Sequence, residues 1–263
     1  MRNSLTFLWR SLNGTSMVGK KSFLLLLSAT MFFAGVAFFA LRSSTKLPST
    51  TPTIAPPTSE TPEEPRNISM GATISQILST YSSMTYRCEL SQGEWIESSY
   101  NVLGEDWIGE LRCLMLNLTF SDVNGSTTIF LWFSEEGDLV QIARPGETPF
   151  PPPEDAWLYL EPAFAPFMGF GYADFFLYPE PEAGTTEYLG CEVRRAGKAS
   201  LLHYKYRFTP NASNIYLENI SKIDIWISPF GDSKDQFFAT LYMVELKDGT
   251  WIKCEVLEIT PAG

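Results

Sequence analysis

The sequence predicts a mainly β fold of the α+β kind. It reads as a large curved antiparallel sheet or half-barrel with a short N-terminal helix and a covering aromatic-rich segment, preceded by one transmembrane helix. Three observations predict it: nearly everything after residue 82 alternates apolar with polar side chains, the interval 145–193 is rich in aromatics and free of Lys and Arg, and residues 22–41 carry no charge. At 44% hydrophobic and 19% charged over 263 residues, the chain has enough apolar content for one packed domain with appendages, and disorder throughout is excluded.

The twenty residues from Ser22 to Leu41, SFLLLLSATMFFAGVAFFAL, form the first element. At about 1.5 Å per residue a helix of that length covers the ~30 Å hydrocarbon core of a bilayer. Lys20 and Lys21 abut its start, with Arg10 and Arg2 behind them, and Arg42 and Lys46 form a weaker pair beyond it. The positive-inside bias then leaves residues 1–21 as a cytoplasmic leader and puts the rest outside. A cleaved signal peptide is the competing reading, because Gly35-Val36-Ala37 offers a small-x-small site. Residues 42–69 are dominated by Ser, Thr and Pro, a composition that favours an extended stalk over a packed segment. The outer domain is expected over 70–263.

Charge sorts partners. Residues 1–46 hold six basic groups and no acid, so residues 47–263 hold 13 basic against 30 acidic, a net charge of -17. Such a surface repels phosphate backbones, and nucleic acid is excluded as a partner of the outer domain.

Asn-x-Ser/Thr occurs at Asn67, Asn117, Asn124, Asn211 and Asn219, five of the seven asparagines beyond the anchor, where chance placement gives about one. The excess points to N-glycosylation on an archaeal or eukaryotic cell surface. Asn13-Gly14-Thr15 is cytoplasmic under this topology and stays bare. Cys88, Cys113, Cys191 and Cys254 all fall on the oxidising side, in strand-like contexts that point each sulfur inward. They are candidates for two disulfides or for buried thiols, and spacing does not choose among the three pairings. With no CxxC and a single histidine, a zinc site is not expected.

Within the outer domain, Ile74, Ile77, Leu78 and Tyr81 recur at helical offsets behind Ser69 and Thr73 as caps, which predicts a helix over 70–82. Strands follow. Leu202, Tyr204, Tyr206 and Phe208 oppose His203, Lys205 and Arg207; Ile223, Ile225 and Ile227 oppose Asp224 and Trp226; Ile252, Cys254 and Val256 oppose Lys253 and Glu255. Turn signals at 123–126, 135–138, 229–232 and 247–249 divide these runs into hairpins. The stretch from Trp157 to Tyr178, WLYLEPAFAPFMGFGYADFFLY, is broken by prolines, glycines and two acids, so a second membrane crossing is rejected. It is expected on the concave side of the sheet, either lining an apolar cavity or completing a solid core.

The helix leading into a strand (ISQILSTYSSMTYRCEL), the meander of long alternating strands and the closing run of KIDIWISPFG, QFFATLYMVELKDG and TWIKCEVLEI together resemble the LolA/LppX-like superfamily of lipoprotein-carrier folds over residues 70–260. The resemblance implies a half-open, strongly curved sheet whose concave side, closed by helices, holds acyl chains or another apolar ligand. The anchor, stalk and sugar sites depart from the soluble carriers of that superfamily, and no ligand residue transfers from it.

Catalytic inventory is thin. GxSxG, HExxH, the P-loop and GxGxxG are all missing, and His203 shares its strand face with Lys205 and Arg207, which predicts a solvent-facing imidazole. Glu135-Glu136-Gly137-Asp138 reads as a hairpin turn rather than a calcium loop, and no cofactor is implied. Two function classes remain in front. One is a non-enzymatic, membrane-anchored domain binding an apolar or lipidic ligand inside the sheet, with Trp157, Phe164, Phe167, Phe170, Phe175 and Phe176 as candidate lining. The other is a structural or adhesive surface glycoprotein that contacts other surface proteins and has no ligand cavity. An extracytoplasmic hydrolase ranks third.

Overall fold

The computed structural model describes residues 64–154, 156, 163–167, 173–212, 214 and 217–262. The leader, the span over 22–41 and the stalk up to residue 63 lie outside the described residues, as do Trp157 and Phe170. Among the described residues no helix is long and apolar enough to cross a membrane.

The architecture is one antiparallel sheet of unusual width. Chain order runs β1 (Ser69–Met70), α1 (Ile74–Thr80), β2 (Tyr81–Leu90), β3 (Trp95–Ile108), β4 (Leu111–Asp122), β5 (Gly125–Ser134), β6 (Leu139–Ala143), α2 (Ala173–Leu177), β7 (Gly184–Ala196), β8 (Ala199–Pro210), β9 (Ile220–Pro229), β10 (Gln236–Leu246) and β11 (Trp251–Pro261). In space the order is β6-β5-β4-β3-β2-β11-β10-β9-β8-β7, with β1 added in parallel to β10. Two five-stranded meanders, each local in sequence, are thus seamed where β2 pairs with β11. The turns after β4, β5, β9 and β10 fall where the sequence predicted them, and three further hairpin turns, after β2, β3 and β7, were not predicted.

The helix is shorter than its periodicity predicts. Thr73 caps it, its hydroxyl accepting from the backbone N–H of Gln76 while the Gln76 side chain accepts from the Thr73 N–H, so both ends of a capping box are made. It ends at Thr80, and Tyr81 opens β2. Spacing alone puts Tyr81 on the helix face; instead its ring stacks on Phe167 at 5.4 Å, which an extended backbone allows.

Register shows the alternation across the whole sheet. Tyr206, Ile225, Tyr242, Cys254, Cys88 and Ile96 align on one face; Lys205, Trp226, Leu241, Glu255, Arg87 and Glu97 align on the other. The first, inner face is covered twice. Under the β2–β5 half, α1 and residues 163–167 bury Met84, Tyr100, Leu116, Leu131 and Phe133; under the β8–β10 half, α2 buries Phe208, Ile223, Ile225 and Val244. The outer face carries ion pairs such as Arg87–Glu97 at 2.7 Å and Arg207–Asp224 at 2.7 Å.

Curvature is strong on the β7 side. β7 stands four strands from β11, roughly 19 Å on a flat sheet, yet Arg194 of β7 meets Glu255 of β11 at 3.6 Å. The tip of the β7–β8 hairpin curls over the outer face of β11, where Gly197 has φ +63° and a Cβ on it would come within 3.1 Å of Glu258 Cγ. A side chain at 197 would therefore both strain the turn and push the curl open.

Cys88 and Cys254 form a disulfide directly across the β2–β11 seam. Cys113 and Cys191 remain thiols, which corrects the reading of four cysteines as two bridges. The reason is topological: Cys113 is on β4 and Cys191 on β7, seven strands apart in the sheet. Cys113 instead packs on the outer face beside Trp132, whose indole N–H donates to Asp106 Oδ2 at 2.8 Å.

A tyrosine-lined cleft on the inner face

The described parts of the aromatic segment, residues 163–167 and 173–178, pack on the inner face of the sheet. Its described rings are packed. Phe164 is fully buried against Tyr100 (5.2 Å) and Phe133 (6.2 Å); Phe167 meets Tyr81, Phe230 and Phe238. The backbone is tied down as well, with the Ala72 N–H donating to Phe167 O at 3.1 Å and the Ala239 N–H to Pro166 O at 2.9 Å. Phe176, 1% exposed, packs on Phe208 at 5.0 Å, and half-buried Phe175 leans on both. Phe164 and Phe167 belong to one core, Phe175 and Phe176 to the other, so these four candidates do not converge on a common space.

Open volume lies beside them. A cleft of about 370 Å³ opens on the inner face between α2, the β7–β8 pair and residues 64–68. Leu177 and Tyr178 wall one side, Thr186, Tyr188 and Tyr206 form the floor, and Arg66 and Ile68 close the mouth. Two contacts hold this frame: the Ile68 N–H donates to the Tyr178 hydroxyl at 3.1 Å, and the Thr186 hydroxyl donates to Phe176 O. Tyr188 and Tyr206 lie ring to ring at 5.3 Å.

Tyr206 is the chemically pointed residue. It is 4% exposed, and its hydroxyl has no hydrogen-bond partner among the described residues. Burial first, then the nearby Glu64 carboxylate and the neighbouring phenols, push its pKa up, so the group stays an O–H donor at all ordinary pH. An orphaned buried donor costs about 1–3 kcal/mol, which an acceptor oxygen entering the cleft would recover. The same strand places Tyr204 and Tyr206 by simple alternation, but what makes a site is their meeting with chain more than 100 residues earlier. The available signal was the choice of Tyr over Phe on an apolar strand face.

His203 does not face solvent. It is 6% exposed, although the sequence put it correctly on the face of Lys205 and Arg207, because the hairpin curl covers that face. Among the described residues no group of three or more His, Cys, Asp or Glu is placed to hold a metal ion. The 135–138 segment is the β5–β6 turn, closed by the Ser134 N–H donating to Asp138 O at 2.8 Å.

No protein-family model matches the chain, and no curated protein sequence matches it. Solved structures align with much of the chain at low identity. Mycobacterium tuberculosis lipoprotein LppX is 11% identical, with 70% of this chain and 89% of that one covered, at a TM-score of 0.27. A protein with a YmcC-like fold from Bacteroides fragilis is 10% identical, with 74% and 99% covered, at a TM-score of 0.27. At these identities and TM-scores the alignments carry no further statement about this chain.

Proposed function

We propose that the chain is a membrane-tethered, extracytoplasmic, non-enzymatic binding domain, and that the inner-face cleft takes one small amphipathic ligand. The observation that carries this reading is the buried, unpartnered Tyr206 hydroxyl on the floor of a 370 Å³ cleft. That volume is at the small end of the ~300–1,000 Å³ range of ligand pockets, so it suits a single ring or chain and not a multi-chain lipid. Walls of Leu177, Ile68 and tyrosine rings take an apolar body, and the phenol offers one directed hydrogen bond.

Native mass spectrometry of residues 64–263, secreted without detergent, tests it. A stoichiometric small-molecule adduct is expected on the wild type and about tenfold weaker retention on Tyr206→Phe, while the unliganded variant is as stable as wild type or more so. An adduct-free spectrum from every host, with Tyr206→Phe destabilising, rejects the cleft as the site.

A second reading, a surface domain that acts by adhesion, is favoured by the exposed Leu103, Trp107 and Leu111 around the tip of the β3–β4 hairpin. Both readings share a glycosylated exterior. Asn67, Asn124, Asn211 and Asn219 are exposed, whereas Asn117 is half-buried in mid-strand, paired in register with Asn101 and Phe130. Glycopeptide mass spectrometry of native protein is expected to find sugar on those four and little or none on Asn117; full occupancy of Asn117 would contradict the register of β4.

A further inference from the structure

His203 lies at the point where the hairpin curl meets the body of the sheet. Its Nδ1 is 3.1 Å from Thr240 Oγ1, and the same hydroxyl is 3.1 Å from Trp226 O. A carbonyl oxygen only accepts, so the single hydroxyl hydrogen of Thr240 goes to Trp226 O and Nδ1 carries the hydrogen it donates to Thr240. Nε2 is then a bare lone pair, buried and without a partner among the described residues.

The charged groups around this ring already lean positive. β7 presents Glu192 and Arg194, β8 presents Lys205, and β11 presents Glu255 with Lys253 beside it; β9 contributes the Trp226 ring, edge-on at 5.8 Å, and β10 the Thr240 hydroxyl. Lys205 holds Glu192 at 2.6 Å, Arg194 reaches Glu192 at 3.7 Å and Glu255 at 3.6 Å, and Lys253 also pairs with Glu255. Three cations share two carboxylates. A proton on Nε2 would add a fourth positive charge and a buried N–H with no acceptor. The Arg194–Glu255 contact it would repel is one that holds the hairpin tip on β11.

We propose that His203 is an acid-released latch: neutral, it lets the β7–β8 hairpin close over β11, and protonated, it drives the hairpin off and displaces the Tyr188–Tyr206 floor of the cleft that the same two strands build. The part concerning the cleft rests on its reading as the binding site; the opening of the hairpin does not. Burial, with Arg194 next, pulls the imidazole from its ordinary 6.5 down to about 4 in the closed form. The open form therefore binds the proton better, so closure is at full strength above about pH 6.5 and weakens as pH falls towards 4.

His203 is the only histidine in the chain, so selective carbon-13 labelling of histidine in the full-length, untagged protein gives one imidazole signal that needs no assignment. We expect that signal to stay neutral well below pH 6. Its titration should coincide with at least tenfold faster amide hydrogen exchange at residues 194–201 and a smaller rise at 186–188, after correction for the intrinsic effect of pH. His203→Gln, which keeps a donor for Thr240 and cannot be charged, should abolish both rises. An imidazole titrating near 6.5 without any change in exchange overturns the latch, as does the same acid response in the glutamine variant. Opening at 194–201 with no response at 186–188 overturns the coupling to the cleft. Because exchange needs no ligand, these outcomes are the same whether or not a small molecule binds, and they remain separate from the adduct test.

Discussion

Replacing both Cys88 and Cys254 by serine is expected to lower the unfolding free energy by about 5 kcal/mol on the chain-entropy estimate for a loop of this length, the largest effect of any substitution outside the aromatic core. The bridge closes a separation of 166 residues, so its loss frees a long loop in the unfolded chain. It also sits on the seam between β2 and β11, the antiparallel pairing that joins the two meanders across a long stretch of sequence, where closing the loop is entropically costly. Urea denaturation read by tryptophan fluorescence measures it, and the wild type with and without reductant provides the same comparison free of mutation. Equal midpoints in oxidised and reduced protein would mean that the seam is held by its hydrogen bonds and core alone.

Phe167→Ala comes second, with an expected cost of about 3–5 kcal/mol. The ring is fully buried and contacts Tyr81, Tyr100, Phe230 and Phe238, drawn from β2, β3, the β9–β10 turn and β10. They belong to two hairpins, β2–β3 and β9–β10, that are remote from each other in sequence, so the cavity left behind cannot be filled by one small shift. Phe175→Ala, from the half-buried ring on α2, should cost about 1 kcal/mol or less by comparison. Parity between the two, with Phe167→Ala near 1 kcal/mol, would turn the segment around Phe167 from core into a lid over open space.

These two residues also mark where the sequence was informative. Alternation along 202–208, 223–227 and 252–256 and the Gly-containing turns are local facts, and the strands they predict are present with the expected faces. Thr73 and the apolar offsets after it located α1, but local spacing did not reveal that Tyr81 would leave the helix, because the ring's partners, Phe167, Phe230 and Phe238, come from 80 or more residues later. For the same reason the pairing of Cys88 with Cys254 was one of several open choices: it depends on β2 lying beside β11, and no short-range signal encodes that contact.

The cleft and the histidine were legible only in part. Strand parity put His203 and Tyr206 on opposite faces, as they are. Parity cannot tell which face a distant hairpin covers, so the imidazole expected in water is buried. Nor can it reveal that Ile68, Tyr178 and Tyr188 will frame the Tyr206 hydroxyl. The aromatic density of residues 157–178 marks rings that are packed, whereas the open volume lies beside them, at Leu177 and Tyr178.

The crossing from β6 to β7 and the sulfur bridge at the seam together make a covalent ring. From Cys88 the backbone runs outward through one meander, crosses to the far edge strand, comes back through the other meander to Cys254, and returns to its start through the two sulfurs. A single protease cut anywhere on that circuit, including in the proline-rich crossing, opens the circle and leaves one molecule.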